Sequence, residues 1–407
     1  MSSFYRGWTI TGTTIATQMA QAGLLIYGFS ALALPLEREF GTSRAEVMIA
    51  ATCLSLASSA FAPVAGWLVD RGSVRRLMLF GAAMVGAGFA VVSMAQAIWH
   101  VWLAFALLLP FANVLLGQIT SATLITRWFE KRRGRAMGLS SLGTSLGGFV
   151  FPVLLATIGE AEGWRMAALA CGLATSALLL LLIALTVRDR PAGDENTHER
   201  RETPAEQSNG EGEAILSTAQ ILAMPAFWII TVAVGLKIAT YFALINNLAG
   251  LAEGMGLDAV IAASMVSVMS FTSMGGKVVI GWLSEKFSAR WLFVIALAMT
   301  VASFLLLLVT SSIPMLVAVC LLLGLSTGGM FPLWSIIVGQ QFGVRSFGKA
   351  LGLTNLVMVP LTASASPLAG LAYDRTGGYD AAIWGAIAIL TIATFLAAFL
   401  RDPHKGI

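Results

Sequence analysis

Long apolar runs, broken at intervals by short polar links, dominate this chain from end to end. A bilayer's hydrocarbon core, roughly 30 Å thick, is crossed by about 20 apolar residues in a helix. Twelve runs meet that length. The pattern predicts helices over about 8–33, 45–69, 77–96, 99–125, 136–158 and 164–187, then about 224–249, 258–283, 291–310, 313–338, 349–371 and 380–400. Between the two sets of six lies 188–214, rich in Glu, Arg, Gly, Asn and Pro and almost without large apolar residues. Such a stretch cannot bury a core and reads as a solvated, flexible linker. The expected organisation is a six-helix bundle over 1–187, a cytoplasmic linker over 188–214 and a second six-helix bundle over 215–407.

Composition excludes the soluble classes. Of 407 residues, 57% are hydrophobic and 11% charged, against roughly 25% charged in soluble domains. The first apolar run is too long for a secretory leader. With the N-terminus in the cytoplasm, nineteen of the 25 lysines and arginines fall on the cytoplasmic side, and four (Arg38, Arg44, Arg165 and Arg375) fall outside. That excess sets the orientation, and both termini and the linker are expected in the cytoplasm, with the plasma or inner membrane as the location. The net charge of +4 reflects this topology, so no nucleic-acid partner is expected. Cys53, Cys171 and Cys320 lie far apart in apolar runs and match no metal-ligand or disulfide spacing. No nucleophile–base pair, metal cluster or cofactor loop appears, so neither an enzyme nor a bound cofactor is expected.

The remaining two cations, Lys237 and Lys277, are the only formally charged side chains well inside apolar runs, and no Asp, Glu or His sits at that depth. A charge at bilayer depth costs a few kcal/mol on insertion scales and is retained where it serves a function. Lys277 shares a helix face with Ser273 and Ser270, and Lys237 shares one with Tyr241, one turn on. The competing readings are a snorkelling Lys277 and a Lys237 satisfied by carbonyls in a packed interface. The N-terminal half offers neutral polar stripes: Thr14, Gln18 and Gln21 on helix 1, and Asn113, Gly117 and Thr120 on helix 4. Asn355 and Thr362 on helix 11 and Trp334 in helix 10 complete the candidates. Interhelical hydrogen bonding is the rival explanation for the neutral groups.

The chain also repeats itself. Gly66-Trp67-Leu68-Val69-Asp70-Arg71 recurs as Gly281-Trp282-Leu283-Ser284-Glu285-Lys286, 215 residues on, and Arg75 recurs at the same offset as Arg290. Gly134-Arg135-Ala136-Met137-Gly138 is echoed 214 residues on by Gly348-Lys349-Ala350-Leu351-Gly352. Two six-helix halves of parallel topology follow, an arrangement that places substrate near the midplane and works by rocking. Asp70, Arg71 and Arg75, with Glu285, Lys286 and Arg290, sit where helices 2 and 8 leave the membrane. A carboxylate there can pair with its basic neighbours or face a helix N-terminus, which makes these six the candidate gating residues.

The run Gly66-x-x-x-Asp70-Arg71-x-x-x-Arg75-Arg76 resembles the loop 2–3 signature of the major facilitator superfamily, with Ser73 where that family usually has Gly. Arg127-Trp128-Phe129-Glu130-Lys131-Arg132-Arg133-Gly134-Arg135-Ala136-Met137-Gly138 resembles the branch of oxalate–formate antiporters and monocarboxylate transporters, as does Pro35-Leu36-Glu37-Arg38-Glu39-Phe40-Gly41-Thr42-Ser43-Arg44-Ala45. The resemblance implies an all-α integral membrane fold of twelve transmembrane helices in two pseudo-symmetric six-helix bundles. In that branch the position four residues before the Gly of the helix 8 motif carries a carboxylate-binding arginine, and here it is Lys277. The branch often has Asp where Ser273 stands, and the oxalate transporters have a cation in mid helix 11 that this chain lacks.

The expected function is secondary active transport of a small organic anion, a monocarboxylate, by alternating access. Its substrate-binding set is Lys277, Lys237, Tyr241, Ser273, Asn113, Gln18, Asn355 and Trp334. A coupling proton or a counter-anion is an open partner, and a monomer in the bilayer is expected. An efflux pump with Trp334, Phe331 and Tyr241 as a greasy pocket, and a non-transporting sensor on a carrier scaffold, are the alternatives.

Overall fold

The computed structural model describes residues 6–129, 132–189, 216–284, 286–310, 312–343 and 346–400. Among them, twelve helices are long and apolar enough to cross a membrane. The first six are α1 (Gly7–Phe40), α2 (Arg44–Val69), α3 (Val74–Ser93), α4 (Ile98–Trp128), α5 (Arg135–Glu162) and α6 (Trp164–Thr186). The second six are α7 (Pro225–Leu248), α8 (Ala259–Ile280), α9 (Ala289–Leu308), α10 (Ile313–Phe342), α11 (Phe347–Thr376) and α12 (Asp380–Ala398). Hydrocarbon offers no water to a bare peptide group, so a spanning segment closes its own hydrogen bonds as a helix. A short helix, Thr218–Ala223, precedes α7, started by a Ser217–Gln220 capping box.

The chain clusters into two compact units. The first comprises the described residues up to Asp189 together with Leu248–Ser267, and the second comprises those of Glu206–Asn247 and Val268–Ile407. Most of the expected linker lies outside the described residues. Its first two residues are described: Trp128 Nε1 donates to the Arg188 carbonyl (3.0 Å), and the Asp189 carboxylate accepts from Ser73 Oγ (2.6 Å) and the Arg75 backbone N–H (3.0 Å). Asp189 thereby satisfies bare N–H groups at the start of α3 and sits at the favourable end of its dipole.

In the first unit α1 packs on α5 and α3 packs on α6, around a core that includes Leu24, Phe29, Phe89, Phe105 and Trp128. Glycine makes the α1–α5 approach possible. A Cβ on Gly143 or Gly147 would strike the backbone carbonyl of Ile15 or Met19. α1 differs from expectation, running seven residues beyond the expected end near 33, through Pro35, to Phe40, where Gly41 at φ +58° ends it. Its middle is a π-helix, Gln21–Tyr27, in which Gly28 N–H donates to the Gly23 carbonyl (2.7 Å). Glu37 therefore lies on the last turn of α1 rather than in the link, where it pairs with the buried Arg44 at 2.8 Å. α4 is broken into Ile98–Leu107, Leu109–Leu115 and Gln118–Trp128.

In the second unit α9 packs on α12 and on the first part of α10, over a core that includes Phe227, Phe293, Leu297 and Leu333. Glycine again sets the closest approach, here between α8 and α10. Gly324 and Gly328 face the backbone carbonyls of Met269 and Ser273. The sequence echo is a contact echo as well. Arg75 Nη2 donates to the Ala184 carbonyl (2.6 Å), and Arg290 Nη2 donates to the Ala398 carbonyl, 214 residues on from Ala184.

Two glycines of α5 separate packing from propensity. Gly143→Ala is expected to lower the melting temperature in detergent, because overpacking costs about 1–3 kcal/mol. Gly138, with nothing within 4 Å of an added Cβ, is expected to respond oppositely, since Ala is favoured over Gly by about 1 kcal/mol in a helix. Parallel thermal melts check both signs.

Candidate functional site

The polar stripe of α1 meets a hydroxyl on α5 and an amide on α4. Gln18 Nε2 donates to Ser140 Oγ on α5 (2.6 Å), and Gln21 Nε2 donates to Asn113 Oδ1 on α4 (2.5 Å). Asn113 Nδ2 then donates to Ser58 Oγ on α2 (2.9 Å). The relay Gln21–Asn113–Ser58 lies where both participating helices lose regular geometry. Gln21 opens the π-helix, and Asn113 lies in the short middle piece of α4, four residues before Gly117. Local π geometry is rare and frequent at functional sites. Gln18 and Gln21 are buried and Asn113 is half-buried. Thr120 turns back to the Leu115 carbonyl (2.8 Å), and Thr14 bonds within α1 to the Thr11 carbonyl (2.8 Å).

In the second unit the two lysines occupy different surroundings. Lys237, on α7, is 1% exposed. Its Nζ donates to Thr300 Oγ1 on α9 (2.5 Å) and Ser326 Oγ on α10 (3.1 Å), and those hydroxyl oxygens are 3.1 Å apart. Each hydroxyl also donates to a carbonyl of its own helix: Thr300 to Ala296 (2.9 Å) and Ser326 to Leu323 (3.0 Å). Their lone pairs are thus turned to the ammonium. A triangle of α7, α9 and α10 therefore encloses Lys237, and both of its described partners are neutral.

Lys277, on α8, is half-buried, with Ser273 buried one turn back and Ser270 fully buried two turns back. Ser270 Oγ has no hydrogen-bond partner among the described residues. Beside Lys277, a Cβ on Gly276 would meet the Leu325 backbone carbonyl of α10, so α8 and α10 touch at backbone distance there. Tyr241 and Trp334 are buried. Asn355 is exposed, and its Nδ2 bonds to the Leu351 carbonyl of its own helix (3.0 Å). Asn246 Nδ2 donates to Ser366 Oγ on α11 (2.9 Å), and Tyr379 OH donates to Asn247 Oδ1 (3.1 Å).

The gating candidates separate in the same way. The Asp70 side chain and Glu285 lie outside the described residues, as does the Phe331 side chain. The Arg71 guanidinium lies 4.9 Å from the Trp67 ring centroid, and Lys286 Nζ lies 4.0 Å from that of Trp282. Arg75 and Arg290 tie α3 to α6 and α9 to α12 through the helix-end carbonyls already described. Arg127 Nη2 donates to the Val69 carbonyl (2.8 Å), so the Arg-Trp-Phe motif fastens helix ends within the first unit.

Ser58, Ser140, Thr300 and Ser326 carry these networks, yet in sequence nothing sets them apart from neighbouring hydroxyls such as Ser59, Ser141, Ser303 and Thr327. Among the described residues no group of three His, Cys, Asp or Glu side chains could hold a metal, and all three cysteines are free thiols.

The hydroxyl triangle yields a stability test. Removing a hydroxyl bonded to a buried charge costs about 1.5–3 kcal/mol, whereas replacing the charge by an apolar group of similar volume is often neutral or stabilising. Thr300→Val is expected to lower the detergent melting temperature clearly, while Lys237→Met melts at or above the parent temperature. The double variant Lys237→Met/Thr300→Val is expected to recover most of the single loss.

Residues 14–279 and 238–406 match the sequence profile of the Major Facilitator Superfamily. Monocarboxylate transporter 13 of Bos taurus is 28% identical over 344 residues, covering 84% of this chain and 76% of that protein. Monocarboxylate transporter 11 of Homo sapiens is 27% identical over 410 residues, covering 96% of this chain and 82% of that protein. In fold, the chain superposes with a TM-score of 0.75 on the crystal structure of a bacterial homolog of the human lysosomal transporter Spinster, at 17% identity and with 98% and 97% of the two chains covered. This chain therefore belongs to the Major Facilitator Superfamily: it is a multi-pass membrane transporter that resembles the monocarboxylate branch.

Proposed function

We propose that this carrier moves a small organic anion, a monocarboxylate, by secondary active transport with alternating access, and that Lys277 is the cation that binds the carboxylate. The observation that carries the reading is Lys277 itself, a half-buried lysine within a membrane-spanning helix, flanked by the buried hydroxyl of Ser273. Of all the substrate candidates only it and Lys237 bear charge, and Lys237 gives its described hydrogen bonds to Thr300 and Ser326. Lys237 accordingly contributes positive potential from within the helix triangle rather than as a direct ligand. Relatives named as monocarboxylate transporters point to the same substrate class. Gln18 and Asn113, held by Ser140 and by the Gln21–Ser58 relay, remain the neutral polar candidates of the first unit. The excess of basic residues over the even-numbered links supports cytoplasmic termini in the plasma or inner membrane.

A hydrogen bond to a charged partner is worth about 1.5–3 kcal/mol, so losing it costs roughly 10- to 150-fold. Purified protein in liposomes is expected to take up at least one of radiolabelled acetate, lactate and pyruvate above empty liposomes. Lys277→Gln should reduce that uptake at least tenfold, and Lys277→Arg should retain more of it than Gln does. Uptake that is unchanged in Lys277→Gln refutes the site. Uptake absent across the panel, together with export of amphiphilic dyes, favours the efflux reading.

A further inference from the structure

The link between α8 and α9 exposes three large aromatic rings within ten residues: Trp282 at 56%, Phe287 at 58% and Trp291 at 52%. Two cations lie over the tryptophans. Lys286 Nζ is 4.0 Å from the Trp282 ring centroid, and the Arg290 guanidinium is 5.2 Å from that of Trp291. A cation seated on a ring face is held in place while its outward donors remain available. In a water-soluble protein such a cluster would be an exposed apolar patch. Here it adjoins the end of a membrane-spanning helix, where the adjacent medium is the bilayer interface and tryptophan is at home. Rings that enter the headgroup region carry Lys286 and Arg290 to the level of lipid phosphates.

From this geometry we infer that the α8–α9 link is a binding site for an anionic phospholipid headgroup, with Trp282, Phe287 and Trp291 seated among the acyl-chain ends and Lys286 meeting the phosphate. Counting crossings puts this link on the same side of the membrane as the α6–α7 connection, the side that carries the excess of basic residues. Anionic lipid is attracted by each basic group near that surface.

The internal repeat supplies a built-in control. The first copy of the link has Trp67, 53% exposed, with Arg71 over its ring at 4.9 Å. Gly72 and Arg76 stand there in place of Phe287 and Trp291. In addition, the Asp189 carboxylate lies on the Ser73 hydroxyl and the Arg75 N–H of that copy, where a phosphate would be repelled. The two copies thus share one cation–ring pair and an acid next to the cation in sequence (Asp70, Glu285) but differ in anchoring rings and in the Asp189 contact. A general preference of basic and aromatic residues for the interface would treat them alike, whereas a site at the α8–α9 link would not.

The full chain, purified in detergent, is tested by thermal shift with added phosphatidylglycerol, with phosphatidylcholine and with inorganic phosphate. Phosphatidylglycerol is expected to raise the melting temperature beyond the other two. Trp282→Leu/Lys286→Gln should lose at least half of that increment, and Trp67→Leu/Arg71→Gln should keep most of it. Native mass spectrometry of the single variant Lys286→Gln, which alters only an exposed side chain, should show at least threefold less retained phosphatidylglycerol. Equal increments from the two lipids, equal losses from the two double variants, an increment reproduced by inorganic phosphate, or unchanged retention in Lys286→Gln would each overturn the inference. The outcome is independent of which solute is carried.

Discussion

Inside hydrocarbon a donor or acceptor left without a partner is costly, and that constraint orders the structure. The backbone meets it by forming helices. Side chains meet it by reaching other helices: Gln18 to Ser140, Gln21 to Asn113, Asn113 to Ser58 and Asn246 to Ser366. Where a helix departs from regular geometry, a polar residue stands at or near the departure. The π-helix in α1 opens at Gln21, and the middle piece of α4 holds Asn113. The amide relay therefore joins the two irregular segments of the first unit and fixes the orientation of both.

The same constraint explains the repeat. Helix ends leave carbonyls bare, and each half solves this with one arginine. Arg75 reaches the end of α6 and Arg290 reaches the end of α12. The basic residues of the repeated motif therefore have two uses. Arg75 and Arg290 close helix ends within a unit, while Arg71 and Lys286 lie outward on tryptophan rings. A motif that reads in sequence as one cluster of charge divides in space according to the side of the helix from which each residue departs.

The number of spans, the family and the two intramembrane lysines were legible in the sequence, because hydrophobic run length and a lone charge are local signals. The partners of Lys237 were not. Thr300 and Ser326 lie 63 and 89 residues away, ordinary hydroxyls in apolar helices, and only the packing of α7 on α9 and α10 gives them meaning. The end of α1 was misplaced for a related reason. Pro35 reads in sequence as a helix end, yet the helix continues through it to Phe40. Asn355 had the right residue type at the right spacing, but its side chain is exposed and bonded to its own helix, a difference that spacing cannot convey.

The two intramembrane lysines stand in different surroundings. An ammonium has three donors, and at Lys237 two of them go to hydroxyls that are themselves anchored to carbonyls. Such a group is held rigidly, so its position does not depend on a solute. Its charge acts at a distance, because the low-dielectric interior screens it weakly. Lys277, by contrast, is half-buried on α8 with the buried Ser273 one turn back. On the function proposed above, the enclosed Lys237 would supply a standing attraction for anions and Lys277 the carboxylate ligand.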